Sequence, residues 1–390
     1  MSFYDGVMFF IVLIIGLIPA AVLGVKEKNL KTYTMFFSLV LIYLIYKESP
    51  IELFYLVIYI FVEWHIIAIY QWSRRRFGAV KIFYYHALFG ALLPLVIAKV
   101  SGLVGNHWFS FLGISYVTFK VLQIIIESYD GIIEKSSFSN TMCFLLFFPS
   151  LSSGPIDRSK RFEEDLLQTR EKTEYIALLE TGIRKILIGY LYKFVLAAIT
   201  FRYLSQIGQR YDVQYVFLYA YVYGVYMFFD FAGYSLMAIG TSYILGIRTP
   251  ENFNKPFISK DIKEFWDRWH ITLSHWFRDF LFSRYMMNAI RNKKFKNRLN
   301  AASAGFIINM LVMGVWHGLS QDYLLYGLYH GVLLALTERY QKKKWYKKVK
   351  NKKWYQIISW FVTLNLVMFG FLIFSGQFLN VLHVAISKFW

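Results

Sequence analysis

The chain has 390 residues, 57% hydrophobic and 20% aromatic, with its charges gathered in short clusters between long apolar runs. Runs of that length are membrane-spanning helices, which excludes a soluble protein of two or three domains. The formal charge of +19 sits in loops between those runs, as the positive-inside rule and anionic headgroups require, and no nucleic-acid-binding motif accompanies it.

The first span is expected over residues 7–25. Asp5 and no Lys or Arg precede it, unlike the positive start of a secretory signal, so it reads as a retained helix with its N-terminus outside. The basic loop 26–31 follows, then a helix over 33–47, a turn at Glu48-Ser49-Pro50 and a third helix running through Gln71. The basic stretch after it lies two spans beyond the first basic loop, so both loops fit the cytoplasm. A fourth helix, about 80–100, contains Pro94, and an outer loop leads to a span over 108–127 containing Ser115, Tyr116, Thr118 and Lys120. A lysine in mid-span must snorkel, pair, or face a wet cavity.

Residues 138–156 make too short an apolar run for an easy span and break at Pro149. The charged stretch after them disfavours an outward crossing, so a re-entrant hairpin covered by protein is expected. A helix over 181–203 follows, then an aromatic segment, 214–247, expected to split into two helices at Gly233. Asp230 in that segment either pairs with a nearby hydroxyl or base, or faces a pore. From Lys260 to Phe280 the chain is too charged to span, yet Phe265, Trp266, Trp269, Leu273, Trp276, Phe277 and Phe280 recur near helical spacing, which suits one amphipathic helix. Spans over 303–319 and 323–339, the lysine run 342–353 and a last span over 356–375 complete the chain. The total is about ten to eleven spans in a single membrane-embedded domain, 1–390, with both ends outside.

Two histidines, His270 and His317, each follow a tryptophan, Trp269 and Trp316, whose rings can wall a pocket. From Ser303 to His317 the segment is apolar except for Asn309, so His317 is expected at membrane depth. Burial there keeps an imidazole neutral and able to take a proton from a hydroxyl. A core histidine bonded to a carbonyl reads equally well from the residues alone. His270 could orient His317, bind a substrate carbonyl, or satisfy its own helix. His275 is five residues from His270 and off its helix face, and there is no HExxH, so no metal site is expected. There is no GxSxG, and the lone cysteine, Cys143, excludes disulfides. The other histidines, His65, His86, His107, His330 and His383, read as structural, with His330 the first exception. Met286 and Met287 among Arg278, Arg284 and Arg291 make an adaptable apolar spot inside positive charge, suited either to an acidic protein partner or to anionic lipid.

The blocks WDRWHITLSHWFRDF (266–280) and MGVWHGL (313–319), with GISYVTFK (113–120) and FFPSLSSGPIDR (147–158) upstream, resemble the membrane-bound O-acyltransferase family, and within it the bacterial D-alanyl transfer branch. The resemblance implies an all-α polytopic membrane protein with re-entrant and interfacial helices around a central funnel. It implies His317 and His270 as catalytic residues, with Trp269, Trp316, Tyr116, Lys120 and Asn309 around the substrates. It also implies a D-alanyl carrier protein bringing its own phosphopantetheine, docked at Arg278, Arg284, Met286 and Met287. No tightly bound cofactor is expected. The acceptor would be a lipoteichoic acid or similar envelope polymer of a Gram-positive cell membrane, reached directly or through a small membrane peptide. Polysaccharide O-acetylation within the same family, a transporter using Lys120, Asp230 and His317, and a purely structural subunit are the rivals.

Overall fold

The computed structural model describes residues 3–103, 105 and 108–387; His107 lies outside them. Helices dominate the described residues, and the backbone's hydrogen bonds are thereby satisfied within each segment, the requirement for crossing lipid. Seven helices are long and apolar enough to cross: Val7–Val25, Pro50–Phe77, Lys81–Leu103, Lys172–Ile207, Val213–Ile244, Arg298–His317 and Lys353–Phe374. This is a multi-pass all-α membrane protein.

The remaining expected spans differ for identifiable reasons. Lys31–Tyr46 has 16 residues, about 24 Å against a hydrocarbon core of about 30 Å. Ile114–Tyr129 is buried on almost every face and carries Lys120 and Glu127, so protein surrounds it. Gln321–Gln341 carries Asp322, Glu338 and Arg339, which lower its apolarity.

The chain packs as two compact units, one taking residues 1–190 and 234–251, the other 191–233 and 252–390. In the first unit, Pro50 opens its helix without sacrificing a hydrogen bond, and Arg74, Arg75 and Arg76 close it against the negative end of the dipole. The expected break at Pro149 is present: Phe138–Leu145 gives way to a 3-10 turn at Phe148–Ser150, and residues 141–152 are buried throughout. Lys120 anchors it, donating to the Phe144 carbonyl at 2.9 Å and to Ser150 Oγ at 3.0 Å. The lysine therefore pairs structurally with the break in this segment. Gly113, at φ 96°, starts the buried helix, and a Cβ there would run into the Leu151 carbonyl. The charged stretch after this segment folds as Ser159–Leu167, beyond which buried Arg170 binds Asp165 at 2.5 Å, Glu174 at 2.8 Å and the Gly246 carbonyl at 3.0 Å.

Two expectations are corrected. The segment at 214–247 does not break at Gly233; Val213–Ile244 is one helix of 32 residues. An interior glycine costs a helix only about 1 kcal/mol, which 32 residues of packing absorb. Nor is 260–280 one amphipathic helix. It divides into Ile262–Trp266 and Ile271–Phe277, separated by a turn, and then a π-helical stretch, Arg278–Phe282. Asp261 caps the first piece, accepting from the Lys263 and Glu264 amides.

Candidate active site

The functional geometry lies in the second unit. His270 stands in the turn between the two short helices at φ 45°, ψ 51°, a left-handed conformation rare outside glycine. A short antiparallel pairing holds it there. Phe253 bridges Trp269, the Asn254 amide donates to the Arg268 carbonyl at 3.0 Å, and the Ile271 amide donates to the Asn252 carbonyl at 2.9 Å. Strain of this kind persists only where the surroundings impose it and concentrates at functional sites.

Asn252 is fully buried, and its Oδ1 accepts from Thr272 Oγ1 at 2.6 Å, the Thr272 amide at 3.2 Å and His270 Nδ1 at 3.4 Å. Because that oxygen can only accept, Nδ1 carries the proton and Nε2 is the basic atom of the ring. His270 is 4% exposed and lies outside the seven spans. Burial, and secondarily His317, push its imidazole down to about 3, so the ring is neutral at ordinary pH.

His317 is the last residue of Arg298–His317, half-buried at the helix end. Trp316 meets it edge-on at 4.6 Å, Phe374 at 5.0 Å, and Tyr323 lies parallel at 5.9 Å. Gly318 lets the chain turn against Tyr323, whose ring occupies the space a Cβ would need. Both histidines line one cavity of about 320 Å³, with Trp269, Tyr326, Phe231, Phe371, Phe374 and Asp230 among its walls. A neutral imidazole among aromatic walls is a base suited to activating a hydroxyl, and the limited space favours a small transferred group.

Two further cavities follow, the first sharing a wall with this one and the second a wall with the first. The first, about 260 Å³, shares Trp266 and contains Asn309, Lys263 and Arg278. The second, about 730 Å³, shares Phe282 and Phe306 with the first and contains Met286, Met287, Arg298 and Lys342.

Of the expected residues, His270, His317 and Trp269 come together, and Trp316 flanks His317. Asn309 belongs to the neighbouring cavity, because eight residues of helix separate it from His317. Tyr116 and Lys120 belong to the first unit. Met286 packs against Ala289, Ala301 and Phe306, whereas Met287 is 62% exposed, so the pair divides between core and surface. His65 and His86 bond the carbonyls four residues back, Phe61 and Ile82, as structural histidines do. His330 is fully buried between Trp266, Tyr326 and Tyr329, with no hydrogen-bond partner on either ring nitrogen among the described residues. Asn252, Phe231, Tyr326 and Phe374 escape the sequence reading. Each lies in a different segment from the histidines, and nothing local marks it.

The membrane-bound O-acyltransferase family model matches residues 29–381. The chain belongs to the membrane-bound O-acyltransferase family. It is an acyltransferase, and the transporter and structural-subunit rivals fall away. Among its relatives, the teichoic acid D-alanyltransferase of Bacillus subtilis (strain 168) is 40% identical over 97% of this chain and 98% of its own length. A Streptococcus thermophilus protein of the same name is 40% identical over 97% and 95%. A Pseudomonas aeruginosa protein named "Probable alginate O-acetylase" is 34% identical over 69% of this chain and 49% of its own.

Proposed function

We propose that this acyltransferase moves D-alanine from a carrier-protein phosphopantetheine thioester, on the cytoplasmic side of the cell membrane, to a hydroxyl of teichoic or lipoteichoic acid outside. One observation carries the reading: a cavity lined by both His270 and His317 lies in a chain 40% identical, end to end, to proteins named for D-alanyl transfer to teichoic acid.

In this reading His317 is the base. Its imidazole takes the acceptor hydroxyl's proton as the oxygen attacks the thioester carbonyl. The tetrahedral adduct then expels the pantetheine sulfur, which receives that proton, leaving an ester and a thiol. A thioester is already activated, and a positioned base adds about 10²–10⁴-fold. His270 acts beside it as a positioning residue whose Nε2 can accept from the hydroxyl or from His317. The phosphopantetheine is substrate, carried in by its protein. The chain of cavities from Met287 past Asn309 to Trp266 is the route that would admit such an arm. The cations Arg278 and Arg284, with exposed Met287, offer an acidic carrier its docking surface. Transfer proceeds directly or through a small membrane peptide.

Labelled D-alanine on a loaded carrier protein, presented to the protein in liposomes, tests this. Wild type should transfer the label and His317→Ala should lose transfer by at least about 10²-fold while still binding the carrier; undiminished transfer by the variant rejects His317 as base. A wild type that transfers acetyl but not D-alanyl would favour the O-acetylase relatives' chemistry instead.

A further inference from the structure

Asp230 is the one carboxylate among the described residues lining the cavity that holds both histidines. Its Oδ1 accepts from Lys193 Nζ at 2.6 Å, and its side chain keeps 39% of its surface accessible. Lys193 lies in the π-helical stretch Leu191–Leu196, an irregularity that interrupts helices most often where function needs a side chain re-aimed. An ion pair inside a membrane span is costly to maintain. Lys193 engages Oδ1 and does not itself line the cavity.

We propose that Asp230 is the recognition site for the α-ammonium of an aminoacyl group, and so selects an aminoacyl over a simple acyl donor. This rests on the D-alanyl reading above. In an aminoacyl thioester the ammonium nitrogen lies within about 2.5 Å of the reacting carbonyl carbon, one bond angle away. A carbonyl presented to His317 therefore brings the ammonium into the same 320 Å³ space. A buried, unpaired ammonium is strongly disfavoured. Asp230 supplies the counter-charge, and the cavity's other walls, Trp269 and Tyr326 among them, are aromatic rings to which a cation is attracted. An acetyl or propionyl group makes neither interaction.

The test uses the full-length protein in liposomes with carrier protein loaded with D-alanyl, D-lactyl or propionyl groups. D-lactyl replaces the ammonium with a hydroxyl. Wild type should prefer D-alanyl over propionyl by at least about tenfold, and Asp230→Asn should bring that ratio close to one. If both rates fall together and the ratio holds, Asp230 serves only the ion pair and the proposal is overturned. Should Asp230→Asn fail to fold, competition on wild type decides. D-alanine methyl ester should inhibit where methyl propionate does not, and equal inhibition overturns the ammonium site. A wild type that transfers propionyl and not D-alanyl overturns both the D-alanyl reading and this one, whereas D-alanyl transfer with an unchanged ratio overturns this one alone.

Discussion

The imidazole at position 270 is held by an amide 18 residues upstream, and its titration should report that burial. Its folded value lies near 3 against an ordinary 6.5, so between those limits the unfolded chain binds a proton that the folded chain refuses. Stability from this group is therefore full above about 6.5 and declines as the pH falls, by about 1.4 kcal/mol per unit while only the unfolded state is protonated. Thermal unfolding in detergent should show a drop in Tm from pH 7 to pH 5 that is smaller in His270→Gln. Identical pH dependence in the two proteins would mean that His270 is protonated in the fold. The paired tryptophan–histidine blocks made both histidines legible in the sequence, because ionisable groups next to large aromatics in apolar surroundings are chemically conspicuous. Asn252 was not legible. An asparagine in a polar linker looks like any turn residue until the fold brings it against Thr272.

At the scale of elements, periodicity carried the argument where a helix is regular and failed where it is interrupted. The apolar runs located the main spans. The aromatic recurrence from Phe265 to Phe280 suggested one helix, yet the chain breaks at His270 because the pairing with residues 252–254 outcompetes one more turn of helix. Gly233 misled in the opposite direction. Pro149 and the short apolar length point to the break in this segment, and Lys120 fills the role that a severed backbone demands, donating to the Phe144 carbonyl at the helix end. Gly113 supports the same junction. Gly113→Ala must place a side chain at φ 96° and against the Leu151 carbonyl. It should destabilise the protein by more than about 1 kcal/mol, read as a lowered Tm with the cavity of His270 and His317 unaltered in composition. A neutral substitution would show that the segment relaxes freely.

For the whole molecule, charge is the property that acts at a distance. For the proposed acidic carrier, the formal charge of +19 predicts association dominated by electrostatic steering. Surface-plasmon or stopped-flow measurement of carrier binding should show an association rate falling steeply between 50 and 500 mM salt, about the range over which the Debye length shrinks from beyond 10 Å to a few ångströms, with the dissociation rate changing less. A salt-independent association rate would argue that docking is carried by the apolar surface around Met287 alone.

By itself the sequence determined the membrane setting, the helical class and the family, and it singled out two histidines that line one cavity, because apolar length, charge placement and rare ionisable residues are properties of a linear string. Tertiary structure alone decided that His270 occupies a strained turn gripped by Asn252, that Lys120 serves the break at Pro149, that Asn309 lines a neighbouring cavity, and that Asp230 shares a cavity with His317. Those facts depend on contacts between segments far apart in the chain. Such contacts are chosen by packing and by the need to satisfy buried polar groups, and neither is written in the spacing of residues along one helix.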